Sequence, residues 1–138
     1  MRVIINGAGI AGSTLAYWLR KANHDVVLVE DEQMREVAKR VSLSQPTPLQ
    51  IDSTEPDVIK MALEQAPGRS IVNSINLEAG TGKADVVVPL AVAHGAAVIA
   101  LTIDEVGMAK TAEDKVRIVR RLVEFACGRF GLPPSDLL

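Results

Sequence analysis

Short runs of β-branched and aliphatic residues alternate with helix-period segments along the whole chain. That alternation restricts the fold to βα units carrying a parallel sheet covered on both faces. The spacing predicts strands at Arg2–Asn6, Asp25–Glu30, Leu49–Asp52, Ser70–Ile75 and Ala97–Ile103. Between them apolar positions recur at helical spacing, as in Met34, Val37, Ala38 and Val41, and again in Val116, Val119, Leu122, Val123 and Ala126. Thr54 and Thr111 each stand three residues before an acid, Asp57 and Asp114, which predicts capped helix starts at both. Gly95 and Gly131 stand where a left-handed residue would end a helix, and Pro133-Pro134 closes the last one. Pro89 falls inside a helical stretch and is expected to kink or shorten it.

With 138 residues the chain is expected to form a single α/β domain, residues 1–138. No apolar run approaches the roughly 20 residues that span a bilayer, and the first residues do not read as a secretory signal. A cytoplasmic protein with no membrane partner is the expectation. Cys127 is the sole cysteine, which excludes an internal disulfide and a cysteine zinc site, and its place in an amphipathic helix points to packing. A net charge of −2 with mixed signs gives no basic field for nucleic acid. Glu113, Lys115, Arg117, Arg120 and Arg121 read as the solvated face of the last helix.

The segment Val3-Ile4-Ile5-Asn6-Gly7-Ala8-Gly9-Ile10-Ala11-Gly12 runs a buried strand into G-x-G-x-x-G ahead of a helical pattern. Gly7 permits the tight turn, Gly9 lets backbone approach a pyrophosphate, and Gly12 allows close helix–strand packing. The second strand ends in Glu30, where an acid would accept hydrogen bonds from an adenosine ribose. Over about the first 30 residues, through Thr14-Leu15-Ala16-Tyr17-Trp18-Leu19 and Val29-Glu30, the chain resembles flavin-dependent monooxygenases of the aromatic-hydroxylase type. That resemblance implies an FAD whose ADP half rests on Gly7, Gly9 and Gly12, with its ribose on Glu30.

From about Pro48 the text changes: Leu49-Gln50-Ile51-Asp52-Ser53-Thr54-Glu55-Pro56-Asp57, then Gly68-Arg69-Ser70-Ile71-Val72-Asn73-Ser74-Ile75-Asn76, then Gly95 to Asp104. From roughly residue 45 onward these segments resemble consecutive strands of the folate-binding barrel of cobalamin-dependent methionine synthases and related pterin methyltransferases. The resemblance implies that Asp52 and Asn73 hydrogen-bond a pterin ring. A carboxylate and an amide can match the donor–acceptor edge of such a ring. Read from the residues alone, Asp52 is equally a strand-end acid beside a helix N-terminus, and Asn73 a loop residue bonding its own backbone.

Other constellations carry no chemistry. Gly80-Thr81-Gly82-Lys83 lacks the leading glycine and the Ser or Thr of a phosphate loop, Leu77 and Ala84 standing in those places. His24 and His94 have no second ligand at metal spacing, so no metal site is expected.

Five strands cannot close an eight-stranded barrel, so the expected fold is an open, doubly wound parallel five-stranded sheet, a Rossmann or flavodoxin-like three-layer sandwich. The preferred strand order is 2-1-3-4-5, with a sequential 1-2-3-4-5 half-barrel as the rival. The two resemblances, at 1–33 and 45–138, lead to the expectation of an engineered chimera without evolved catalytic activity. It would keep at most weak binding of a dinucleotide, FAD through its ADP moiety, as a monomer or weak homodimer. Folate affinity is expected to be feeble, with a residual pterin-binding methyltransferase module as the alternative.

Overall fold

The computed structural model describes residues 18–23, 33–44 and 48–138 in full, and the backbone of 2–6 and 25–29. Five parallel strands form one sheet: β1 (Arg2–Asn6), β2 (Asp25–Val29), β3 (Leu49–Asp52), β4 (Ile71–Ile75) and β5 (Ala97–Ala100). Their order is β2-β1-β3-β4-β5, the doubly wound arrangement rather than the sequential one. Chain direction across the sheet reverses at β1, because β2 lies on one side of it and β3 on the other. Residues 18–21 of the β1–β2 connection are helical. The carboxyl ends of β1 and β3 border the resulting switch point.

Three helices connect β2 to β5: α1 (Met34–Ser44), α2 (Pro56–Gln65) and α3 (Gly82–Ala93). They pack in sequence, α1 on α2 and α2 on α3. Each turns a stripe at helical spacing inward: Met34, Ala38 and Val41; Val58, Ile59, Ala62 and Leu63; Ala84, Val87, Val88 and Ala91. These meet Ile51, Val72, Ile75 and Val98 in one hydrophobic cluster. Each fully buried aliphatic side chain there contributes roughly 1.5–3 kcal/mol.

Four local expectations need correction. Pro89 does not shorten α3, which continues to Ala93 although proline has no N–H to donate at that position. Thr54 is not a helix cap, since α2 begins at Pro56 with Glu55 as its cap residue, and proline at the first position fixes the start. The predicted fifth strand is shorter, ending at Ala100, and Ile103 joins a separate antiparallel hairpin of β6 (Ile103–Asp104) and β7 (Gly107–Met108). There Asp104 Oδ1 accepts from the Val106 amide at 3.0 Å, and Gly107 supplies a φ of 120°. Finally, α4 (Ala112–Val123), extended by a π-helical turn over Glu124–Arg129, buries Ile118, Leu122 and Ala126. Val116, Val119 and Val123 of its apolar pattern are exposed.

Other signals hold. Thr111 caps α4, accepting from the Asp114 amide at 3.1 Å. Gly95 ends α3 at φ 61°, with Ala96 bonded back to the Ala91 carbonyl at 2.9 Å and Gly95 to Val92 at 3.2 Å, a Schellman motif. Beyond a short turn at Pro134–Asp136, Leu138 donates to Val98 and accepts from Ala100, both at 2.9 Å, covering part of the outer edge of β5.

Candidate functional site

All five strands of the sheet are parallel, so the residues that end them share one edge, where open α/β sheets bind ligands. In register, Asp52 faces Ile5 of β1 on one side and Asn73 of β4 on the other. The β3–β4 ladder stops at the Asp52 and Asn73 pair. Both residues alternate away from the buried Ile51 and Val72, which leaves them half-buried at the sheet's end.

Burial pushes the Asp52 carboxyl above its ordinary value, opposed by the Asn73 hydrogen bond and the Lys83 charge. Lys83, in the first turn of α3, donates to the carbonyls of Ser53 and Ser74, each at 3.1 Å. Burial draws its ammonium below the usual lysine range, while Asp52 and Glu55 act in the opposite direction. The turn after β3 is held by Ser53, buried, whose Oγ accepts from the Glu55 amide at 3.1 Å. Past Asn73 the register against β5 shifts, and the Asn73–Ser74 peptide is cis.

Of the sequence-derived site residues, the structure brings Asp52 and Asn73 together. Gly7, Gly9, Gly12 and Glu30 lie outside the described residues. Asn73 is a strand residue; the asparagine that bonds its own backbone is Asn76, which accepts from the Glu78 amide at 3.1 Å. Lys83 was not singled out by motif spacing. A better signal is its position, because a cation in a helix's first turn opposes the dipole and needs a compensating partner. Arg117 and Arg121 are not simply solvated: both reach the buried Asp104, at 2.7 and 3.4 Å. Among the described residues no three His, Cys, Asp or Glu side chains cluster as a metal site, and no helix is long and apolar enough to cross a membrane.

The edge therefore offers a carboxylate acceptor and an amide that both donates and accepts on neighbouring strands, with an ammonium supplied from the first turn of α3. That set suits one edge of a planar nitrogen heterocycle. Comparison with known proteins shows the family. Residues 21–138 match the family described as pterin binding enzyme, and this chain belongs to it. Residues 5–33 match the NAD(P)-binding Rossmann-like domain, so positions 21–33 fall in both. Among curated proteins the chain is similar to methionine synthase of Mycobacterium tuberculosis (strain ATCC 25618 / H37Rv), 42% identical over 108 residues, which are 76% of this chain and 9% of that protein. Methionine synthase of Mycobacterium leprae (strain TN) is 40% identical over 108 residues, with the same shares. The chain spans about 9% of the length of these relatives. The pterin match starts well before residue 45, so β2 and α1 lie within it as well.

Proposed function

We propose that this chain is a pterin-binding α/β module in which Asp52 and Asn73 recognise the donor–acceptor edge of the pterin ring. The observation that carries the reading is the register pairing of Asp52 with Asn73 at the carboxyl end of the sheet. The carboxylate accepts from ring N–H groups and the Asn73 amide supplies both a donor and an acceptor. Because the strand ladder fixes both positions before a ligand arrives, little ordering is needed there on binding. Calorimetric titration of the whole chain with 5-methyltetrahydrofolate tests the reading: saturable heat supports it, and none overturns it.

A second reading is favoured by the Rossmann-like match over residues 5–33 and by the central place of β1. In it Gly7, Gly9, Gly12 and Glu30 hold the ADP half of an FAD weakly, and the chain is an engineered chimera without evolved catalytic activity, working in the cytoplasm as a monomer or weak homodimer. Titration with FAD and ADP, read by amide shifts at Gly7–Gly12, tests it; unmoved signals contradict it. Both readings take residues 1–138 as one domain sharing a single core.

A further inference from the structure

The β3–β4 ladder has its last register pair at Asp52 and Asn73, and the residues that follow, Ser53 and Ser74, are not paired with each other. Their carbonyls converge instead on one group, the Lys83 ammonium, at 3.1 Å each. Lys83 lies 30 residues beyond Ser53 and nine beyond Ser74. It thus ties the turn before α2 and the end of β4 to the start of α3. An ammonium has three donors, and these carbonyls occupy two. A half-buried cation in a helix's first turn works against both desolvation and the dipole. The Asp52 and Glu55 charges nevertheless favour the ammonium electrostatically.

We propose that Lys83 is a positioning residue of the pterin site, which clamps the ends of β3 and β4 one residue beyond Asp52 and Asn73 and so holds that pair in reading geometry. This assignment rests on the pterin reading above. Lys83 replaces the ladder where backbone pairing stops, and its charge favours the ionised Asp52 that must accept from the ring. Among the described residues the charge acting on Asp52 is Lys83, and those acting on Lys83 are Asp52 and Glu55.

The test compares the whole parent chain with Lys83→Met, Lys83→Gln and Lys83→Arg, using 5-methyltetrahydrofolate as the probe. Lys83→Met and Lys83→Gln should weaken binding about tenfold, the usual scale for a lost charge-assisted hydrogen bond, and Lys83→Arg should largely restore it. Without ligand, the Asp52 carboxyl followed by carbon NMR should titrate at higher pH in the two neutral variants and near the parent value in Lys83→Arg. A merely structural lysine would not produce that charge-dependent split. If Lys83→Met loses its cooperative melt, Lys83→Gln, which keeps a donor, carries the comparison. A parent that binds alongside neutral variants that bind equally, with unmoved Asp52 titration, overturns the role of Lys83 alone. A parent that takes up no pterin overturns the pterin reading and this assignment together, and is recognised before any variant is measured.

Discussion

Arg117 Nη1 donates to Asp104 Oδ2 at 2.7 Å, fixing the base of the β6–β7 hairpin to α4. The Arg117 hydrogen bond, joined by the Val106 amide, holds the Asp104 carboxyl below its ordinary value. A depressed carboxylate stabilises the fold above the unfolded-state pKa, and the contribution is lost as pH falls through the lower folded value. Melting temperature should therefore drop as pH falls below about 4, near the ordinary aspartate value. In Asp104→Asn that acid limb should be shallower and the neutral-pH stability lower; a limb identical to the parent's would contradict the pairing.

The two threonines that look alike in sequence should behave differently. Thr111→Ala removes a cap whose Oγ1 accepts from Asp114 N and donates to its carboxylate. It should cost about 1 kcal/mol in denaturant unfolding. Thr54, exposed and donating to the neighbouring Glu55 carboxylate at 3.2 Å, should stay within about 0.5 kcal/mol on change to Ala. Equal losses would place the α2 cap back at Thr54.

Asp52 should trade stability for recognition. Burial raises its carboxyl pKa, so its contribution to stability is present below the unfolded value and lost as pH rises through the folded one. At neutral pH, Asp52→Asn should accordingly melt higher than the parent. Asp52 is also the register neighbour of Ile5, close to the start of the glycine-rich segment, where its charge would repel a pyrophosphate within a Debye length of about 8 Å. ADP should therefore bind Asp52→Asn more tightly. Amide-shift titrations of the two proteins check this, and equal affinity would refute the crowding.

Cutting the chain near Gln45 should leave neither piece folded, because β1 pairs with β3 across the cut and α1 packs on α2. Dispersed amide spectra and a cooperative melt from either fragment would show two independent units.

Much of this was legible in the sequence because it depends on local patterns. The β-branched runs and the strand-to-helix turns favoured the doubly wound order over its sequential rival, and the resemblance to pterin methyltransferases, rather than any local pattern, pointed to Asp52 and Asn73. What escaped depends on contacts distant in sequence. The run Ala97–Ile103 reads as one strand until the Asp104 side chain and Gly107 turn its end into a hairpin. Arg117 and Arg121 look solvated until that hairpin brings a buried acid beneath them. Lys83 fails every phosphate-loop spacing, and its role shows only once the ends of β3 and β4 lie side by side.

The most direct test of the central claim is titration of the parent and Asn73→Ala with 5-methyltetrahydrofolate under identical conditions. Asn73 is half-buried at the last register pair of the β3–β4 ladder, opposite Asp52, so its loss removes one reading group and loosens the other. The account predicts saturable binding by the parent and a loss of about tenfold or more in the variant, with its cooperative melt retained. Equal binding by the two proteins, or none by the parent, would contradict it.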